Sequence, residues 1–409
     1  MKKVNRWVIL AASCLINLCI GSVYAWSVFA SPMAEYLSQT TGVALTAADL
    51  AIVFTVANLL GPITMISGGR INDTLGPKMV LLAGGIMFGA GLLLAGFAKS
   101  VGMLILGYGI ISGLGLGFAY GCTISNSVKF FPDKRGLIGG ITTACYGLSS
   151  VILPPIATAL IGAFGISNTF KILGIAFGII VCGASLFVKK CPENYQPDGW
   201  NPPQQAAGVA AVDKDWREML KSPIFYVMIA ILVCGAFCGL MCTSQAAPIA
   251  QNMIGMTGAA AATAVSVLAL FNAAGRIAAG HISDRIGRIH TISLACIVAI
   301  LGLMCLYFSG GQTYVKFYIG ISLVGMAFGA FMGVFPGFTA DRFGTKNNSV
   351  NYGIMFIGFA AAGYFGPAAM KKIYNTSGSY QQAFLVAAAI GAVGFVLTFL
   401  YGALAKNHK

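Results

Sequence analysis

The sequence predicts an all-α membrane protein with twelve transmembrane helices in two pseudo-symmetric six-helix bundles. Three observations predict it. The 409 residues are 57% hydrophobic and only 9% charged, with a mean hydropathy of +0.83, a balance far from that of soluble globular domains. The apolar residues fall into twelve segments, each near the ~20 residues needed to cross a bilayer. Two features of the first six segments recur in the last six.

Taken in order, the segments cover about 7–30, 47–69, 79–98, 101–128, 137–163 and 170–188, then 223–248, 260–282, 291–308, 314–339, 352–370 and 382–404. The first follows Lys2, Lys3 and Arg6 and resembles a secretion signal only at its start. Its apolar run continues to about Pro32, longer than the ~7–15 residues of a cleaved signal core. It is therefore expected to stay as span 1. Residues 189–222 break the pattern with Lys189, Lys190, Asn201-Pro202-Pro203-Gln204-Gln205, Asp213, Lys214, Asp215, Arg217 and Lys221. The expected organisation is a bundle at 1–188, a polar linker at 189–222 and a second bundle at 223–409.

The formal charge of +14 is not a nucleic-acid signal, because the basic residues sit in short loops. With the N-terminus in the cytoplasm, nineteen of the 25 Lys and Arg fall on that side and five on the other. The positive-inside rule then puts both termini in the cytoplasm. Most of the eleven cysteines lie in apolar runs, where they serve as small soft hydrophobes. Cys234 and Cys238 share a helix face at i, i+4, but no His joins them as a ligand set. No metal site, cofactor or disulfide framework is expected. No motif sets a nucleophile beside a base, so an enzyme is not expected either.

The internal repeat is carried by a loop motif and a stripe. Gly69-Arg-Ile-Asn-Asp73-Thr-Leu-Gly76-Pro-Lys78 ends span 2, and Gly280-His-Ile-Ser-Asp284-Arg285-Ile-Gly287-Arg288 ends span 8. Both read Gly-x-x-x-Asp-x-x-Gly with a cation after it. Span 4 carries Gly109, Gly113, Gly117 and Gly121; span 10 carries Gly325, Gly329, Gly333 and Gly337. Small residues four apart let helix backbones approach in a membrane. An Asp at such a helix end can cap a neighbouring helix N-terminus and pair with a cation, which makes a breakable latch.

One charge stands apart. Arg276 lies within span 8, eight residues before Asp284, so its Cα sits roughly 12 Å inside the charged loop at ~1.5 Å per residue. A guanidinium stays charged at any biological pH, so it must face protein, water or an anion. No other Lys or Arg, and no Asp or Glu, lies well inside an apolar segment. The counter-ion is expected to arrive from outside. The absence of an intramembrane carboxylate also argues against a cation or drug exporter.

The duplicated loop motif resembles the signature of the major facilitator superfamily, which implies parallel six-helix repeats working by alternating access. A narrower resemblance rests on five stretches: Gly21-Ser-Val-Tyr24-Ala-Trp26-Ser-Val-Phe29; Tyr120-Gly121 with Phe131-Pro132-Asp133-Lys134-Arg135-Gly136; Tyr146-Gly147-Leu148; Phe271-Asn272-Ala-Ala-Gly275-Arg276; and Asn351-Tyr352-Gly353. Together they resemble the oxalate/formate antiporter family, bacterial relatives of the monocarboxylate transporters. The resemblance implies that Arg276 binds a substrate carboxylate and that Tyr24, Tyr120, Tyr146 and Phe356 line the cavity. Asn272, Phe331, Phe335 and Phe359 complete the candidate substrate-binding set.

Three departures shape the substrate expectation, one of them the loss of a span 10 aromatic, since the two family positions hold Phe328 and Met332 here. Phe359 stands where oxalate transporters of the family carry a Lys, so a monocarboxylate with a small apolar tail suits the site better than a dianion. Asn272 stands where monocarboxylate transporters place an Asp, which argues against direct proton carriage there. The expected activity is transport of small organic anions of the lactate, pyruvate or formate type. An oxalate/formate-type exchanger and a transport-inactive carboxylate sensor are the alternatives. The expected partners are a small carboxylate, protons as a candidate coupling ion, and the lipid bilayer of a bacterial inner membrane, around a monomer. Gly69, Asp73, Gly76, Gly280, Asp284, Arg285, Gly287 and Arg288 are the candidate gating residues.

Overall fold

The structure is a computed structural model that describes residues 5–192, 195–197, 199–200 and 213–407. Lys2, Lys3, Lys409 and the Asn201–Gln205 run of the linker lie outside the described residues. Among the described residues the chain is helical, and eleven helical stretches are long and apolar enough to cross a membrane. One of them, Arg135–Ser185, has 51 residues. At 1.5 Å per residue it is about 77 Å long, more than twice what a bilayer core requires. Gly165 breaks it with φ 75° and ψ 164°, a conformation that only glycine adopts without strain. The stretch therefore supplies spans 5 and 6, and the total among the described residues is twelve.

Several spans run past their apolar cores. Span 1 continues to Thr41 through a 3₁₀ turn at Gly21–Ala25. Span 4, Val101–Phe130, contains a π-helical stretch at Ile105–Ser112. Span 8 is Gly258–Ile286 and span 10 is Tyr314–Phe343. Span 11 is made of Asn348–Met355 and Ile357–Ser377. Hydropathy marks where a helix leaves hydrocarbon, whereas hydrogen bonding continues to the cap, so the helices outrun the apolar segments.

The chain forms two compact units. The first comprises 1–133, 145–211 and 345–354; the second comprises 134–144, 212–344 and 355–409. Each unit thus contains one short segment from the other half of the sequence. The cause is local in both cases: 134–144 starts on a cap supplied by Asp284, and 345–354 starts on a cap supplied by Asp73.

Each unit is held by its glycine stripe. In the first, span 4 lies against span 2 (Ala51–Leu75). A Cβ on Gly113 would come within 2.8 Å of the Ala57 Cα, and one on Gly117 would overlap the Gly61 carbonyl. In the second, span 10 lies against span 8. A Cβ on Gly325 would come within 2.7 Å of the Leu268 carbonyl oxygen, while those on Gly329 and Gly333 would overlap the carbonyls of Asn272 and Arg276. Backbone cannot yield as a side chain can, and overpacking of this kind typically costs about 1–3 kcal/mol.

Candidate functional site

Arg276 is only 2% exposed. Its Nε donates to Asn272 Oδ1 at 2.9 Å, and one Nη donates to the Thr143 carbonyl at 2.8 Å. Asn272 lies one turn earlier on the same helix, and its Nδ2 donates to the Gly325 carbonyl at 3.4 Å. That bond leaves Oδ1 turned toward the guanidinium. Thr143 belongs to the first turns after Arg135, and a Cβ at Gly140 would overlap the Arg276 carbonyl. Glycines on two neighbouring helices therefore bring backbone up to Arg276 from both sides.

Both partners of Arg276 are neutral. Among the described residues its guanidinium makes no ion pair, whereas Asp133, Asp73, Asp341 and Asp284 pair with Arg6, Lys129, Arg135 and Arg288. A guanidinium has five N–H donors, and the two bonds above use two of them. The remainder is a fork suited to a carboxylate.

The same unit holds an aromatic stack. Phe356 and Phe359 lie 4.5 Å apart at 23°, and Phe359 lies 6.3 Å from Phe328 at 5°. Phe356 and Phe359 are partly exposed, whereas Phe328 is buried. Phe331 and Phe335 are fully buried and packed on each other at 6.3 Å. Phe331 fills the space left by Gly235 on span 7 (Pro223–Thr243). These two rings contribute to helix packing, and the Phe356–Phe359–Phe328 stack is the aromatic surface with access.

The three tyrosines come together in the first unit. The Tyr146 ring meets Tyr24 at 5.0 Å and Tyr120 at 4.8 Å. Gly21, at the head of the 3₁₀ turn, lets span 1 approach span 5 here, since a Cβ would lie 2.9 Å from the Ser149 Cβ and would overlap the Tyr146 carbonyl. Tyr120 and Tyr146 are buried, and Tyr24 is half-buried.

The two loop motifs share one construction. Asp284 accepts from the Gly136 and Leu137 amides, each at 2.8 Å, and from Arg288 at 2.6 Å. Asp73 accepts from the Ser349 and Val350 amides at 3.1 and 3.3 Å, from the Ser349 hydroxyl at 2.7 Å and from Lys129 at 2.6 Å. Gly69 and Gly280 permit the approach of the capped helix ends. Gly76 and Gly287 turn the chain with φ of 99° and 92°. The cation differs between copies: Lys129 pairs with Asp73, while Lys78 and Arg285 are exposed.

The structure brings out a third copy of the pattern. Gly337-Phe-Thr-Ala-Asp341-Arg342-Phe-Gly344-Thr-Lys346 ends span 10 with the same spacing, and Gly344 has φ 89°. Asp341 accepts from Arg135 and from Arg288, each at 2.7 Å. Arg135, Asp341, Arg288 and Asp284 thus form one continuous chain of charges, whose signal was the repeated Gly-x-x-x-Asp-x-x-Gly pattern.

Twelve apolar spans, two units built on matching glycine stripes and a duplicated capping motif define a multi-pass membrane transporter. The family model of the Major Facilitator Superfamily matches residues 14–367, and the chain belongs to that superfamily. It is 31% identical over 356 residues to an uncharacterized transporter of that type, YhjX of Escherichia coli, covering 87% of this chain and 85% of that one. It is 29% identical to the oxalate:formate antiporter of Oxalobacter formigenes, covering 99% and 94%. It is 25% identical to monocarboxylate transporter 12 of Rattus norvegicus, covering 96% and 83%. Among solved structures, the transporter FucP superposes with a TM-score of 0.72 at 17% identity, covering 96% of this chain and 98% of that one. The human organic anion transporter MFSD10 gives 0.71 at 13%, covering 97% and 100%. Both structures share the fold.

Proposed function

We propose that the protein is a secondary active transporter of small organic anions, monocarboxylates of the lactate, pyruvate or formate type, with Arg276 binding the substrate carboxylate. One observation carries the reading: a fully charged side chain, 2% exposed, has only neutral partners among the described residues. Burying a charge without a counter-ion is expensive, and a visiting carboxylate removes that expense. The two bonds already made by Arg276 hold the fork in place before the anion arrives, so little side-chain entropy is lost on binding. The Phe356–Phe359–Phe328 stack offers a dry surface for a short apolar tail and no second cation for a dianion. Neutralising Arg276 would lower the barrier to moving it past apolar surroundings, which is how substrate would enable alternating access. The tyrosine trio of the first unit is a separate candidate for polar contacts with the anion.

The reading is tested with purified protein. Thermal-shift titration and proteoliposome uptake are compared across formate, lactate, pyruvate and oxalate. Loss of a charge-assisted bidentate contact by Arg276→Ala should weaken binding by about 2 kcal/mol or more, roughly thirtyfold. The exposed Lys221→Gln should leave it unchanged. Equal binding in Arg276→Ala and wild type would remove the basis of the proposal. Similarity to the oxalate:formate antiporter supports a second reading, exchange of two anions. Counterflow measured with and without a pH gradient separates exchange from proton symport. Binding without flux would identify a sensor.

A further inference from the structure

A cavity of about 230 Å³ opens in the second unit, away from Arg276, and is lined by Arg288, Ile289, Phe338, Asp341, Arg342 and Tyr401. Those residues come from the first turn of span 9 (Arg288–Tyr307), the last turns of span 10 and the end of span 12 (Gln381–Asn407).

The charges around this cavity do not cancel. Asp341 is occupied twice, by Arg135 and Arg288. Arg288 is occupied twice, by Asp341 and Asp284. Arg342 takes part in none of the ion pairs or hydrogen bonds among the described residues and is partly exposed. The cavity lining thus holds two guanidinium groups, Arg288 and Arg342, and one carboxylate, Asp341, and Arg342 is the cation outside these pairs. Tyr401 is the second donor. Its ring is fixed edge-on to Phe338 at 5.1 Å, and its hydroxyl makes no hydrogen bond among the described residues. Both features ask for an anion with several acceptor oxygens, and a phosphate group supplies them.

The surroundings indicate where that phosphate comes from. Along span 12, Val393, Val396, Phe399 and Leu400 are 46–64% exposed, and on span 9 Leu294 and Ile297 are 48% and 39% exposed. This apolar surface runs along the helices up to the polar cavity at their ends. A molecule with a phosphate head and hydrocarbon tails matches both parts at once. A basic pocket at the ends of transmembrane helices has the physical character of a lipid head-group site.

We infer that the Arg342–Tyr401 cavity binds the phosphate of an anionic phospholipid, a site separate from the Arg276 carboxylate site. The test uses full-length protein in detergent, with dihexanoyl-phosphatidylglycerol and inorganic phosphate as probes. Native mass spectrometry and thermal shift give occupancy and affinity for each. The phospholipid should bind wild type and bind Arg342→Gln at least tenfold more weakly. Tyr401→Phe keeps the packing on Phe338 and should bind it about threefold more weakly, while Lys221→Gln should match wild type. Equal lipid affinity in wild type, Arg342→Gln and Tyr401→Phe would overturn the inference. Inorganic phosphate binding as tightly as the lipid would overturn the lipid assignment.

Discussion

The most demanding prediction concerns Asn272. Asn272→Asp changes no volume and keeps an oxygen 2.9 Å from the Arg276 Nε, but it gives the guanidinium a resident counter-ion. A substrate carboxylate held by the same guanidinium would sit roughly 6 Å from the new one, and at an effective dielectric constant near 20 the repulsion is about 3 kcal/mol. That is roughly a hundredfold loss of anion affinity. A proton on the introduced carboxyl cancels the repulsion, so the gap to wild type should narrow as pH falls. The assay is thermal-shift or calorimetric titration of wild type and Asn272→Asp with whichever of formate, lactate, pyruvate or oxalate binds best. Measurements at pH 8 and pH 5 share the substrate's own titration, so the ratio of the two proteins isolates the site. Affinity within threefold of wild type at pH 8 would refute the claim that Arg276 waits for an external charge.

Three further outcomes follow from the structure. Gly329→Ala should lower thermal stability by about 1–3 kcal/mol because its methyl meets the Asn272 carbonyl, whereas Gly402→Ala, with open space around it, should not; thermal denaturation in detergent decides. Asp284→Asn loses the charge on a cap of two amides and a guanidinium and should destabilise by about 1–2 kcal/mol, with faster hydrogen exchange at the Gly136 and Leu137 amides. Burial pushes the Cys191 thiol up to about 12, against a smaller opposing pull from Lys129. Its alkylation, read by peptide mass spectrometry, should therefore be slow at pH 8 and rise about tenfold per pH unit up to roughly pH 11, since the thiolate is the nucleophile.

What the sequence disclosed depended on how local the cause was. The span count, the two motif copies and the glycine stripes were legible because hydropathy and four-residue spacing act within one helix. The ends of the spans were not, because capping by a distant carboxylate extends a helix beyond its apolar core, as Asp73 does for Asn348–Met355. Lys78 follows the first motif in sequence, yet Lys129 pairs with Asp73, since a partner is chosen by distance in space. Phe331 and Phe359 look alike in the sequence, but Gly235 opposite Phe331 makes a slot that buries one ring and leaves the other accessible. The third motif copy at Gly337–Gly344 was visible in principle, because its spacing equals that of the other two.

The glycine stripe and Arg276 act as one device. A guanidinium in apolar surroundings must be solvated by something, and here that is a side-chain amide and a backbone carbonyl rather than a carboxylate. The Thr143 carbonyl reaches Arg276 only because Gly140 lets its helix close on span 8. The Asn272 amide is oriented by the Gly325 carbonyl, which belongs to the stripe that brings span 10 onto the other side. On the proposed reading, dipoles stabilise the charge enough for the protein to fold but leave it un-neutralised, and that residual charge is what an anion would gain from. A resident carboxylate would make the fold more secure and the binding weaker. The neutral residue at 272 is therefore the feature that couples the packing of the second unit to the chemistry proposed for it.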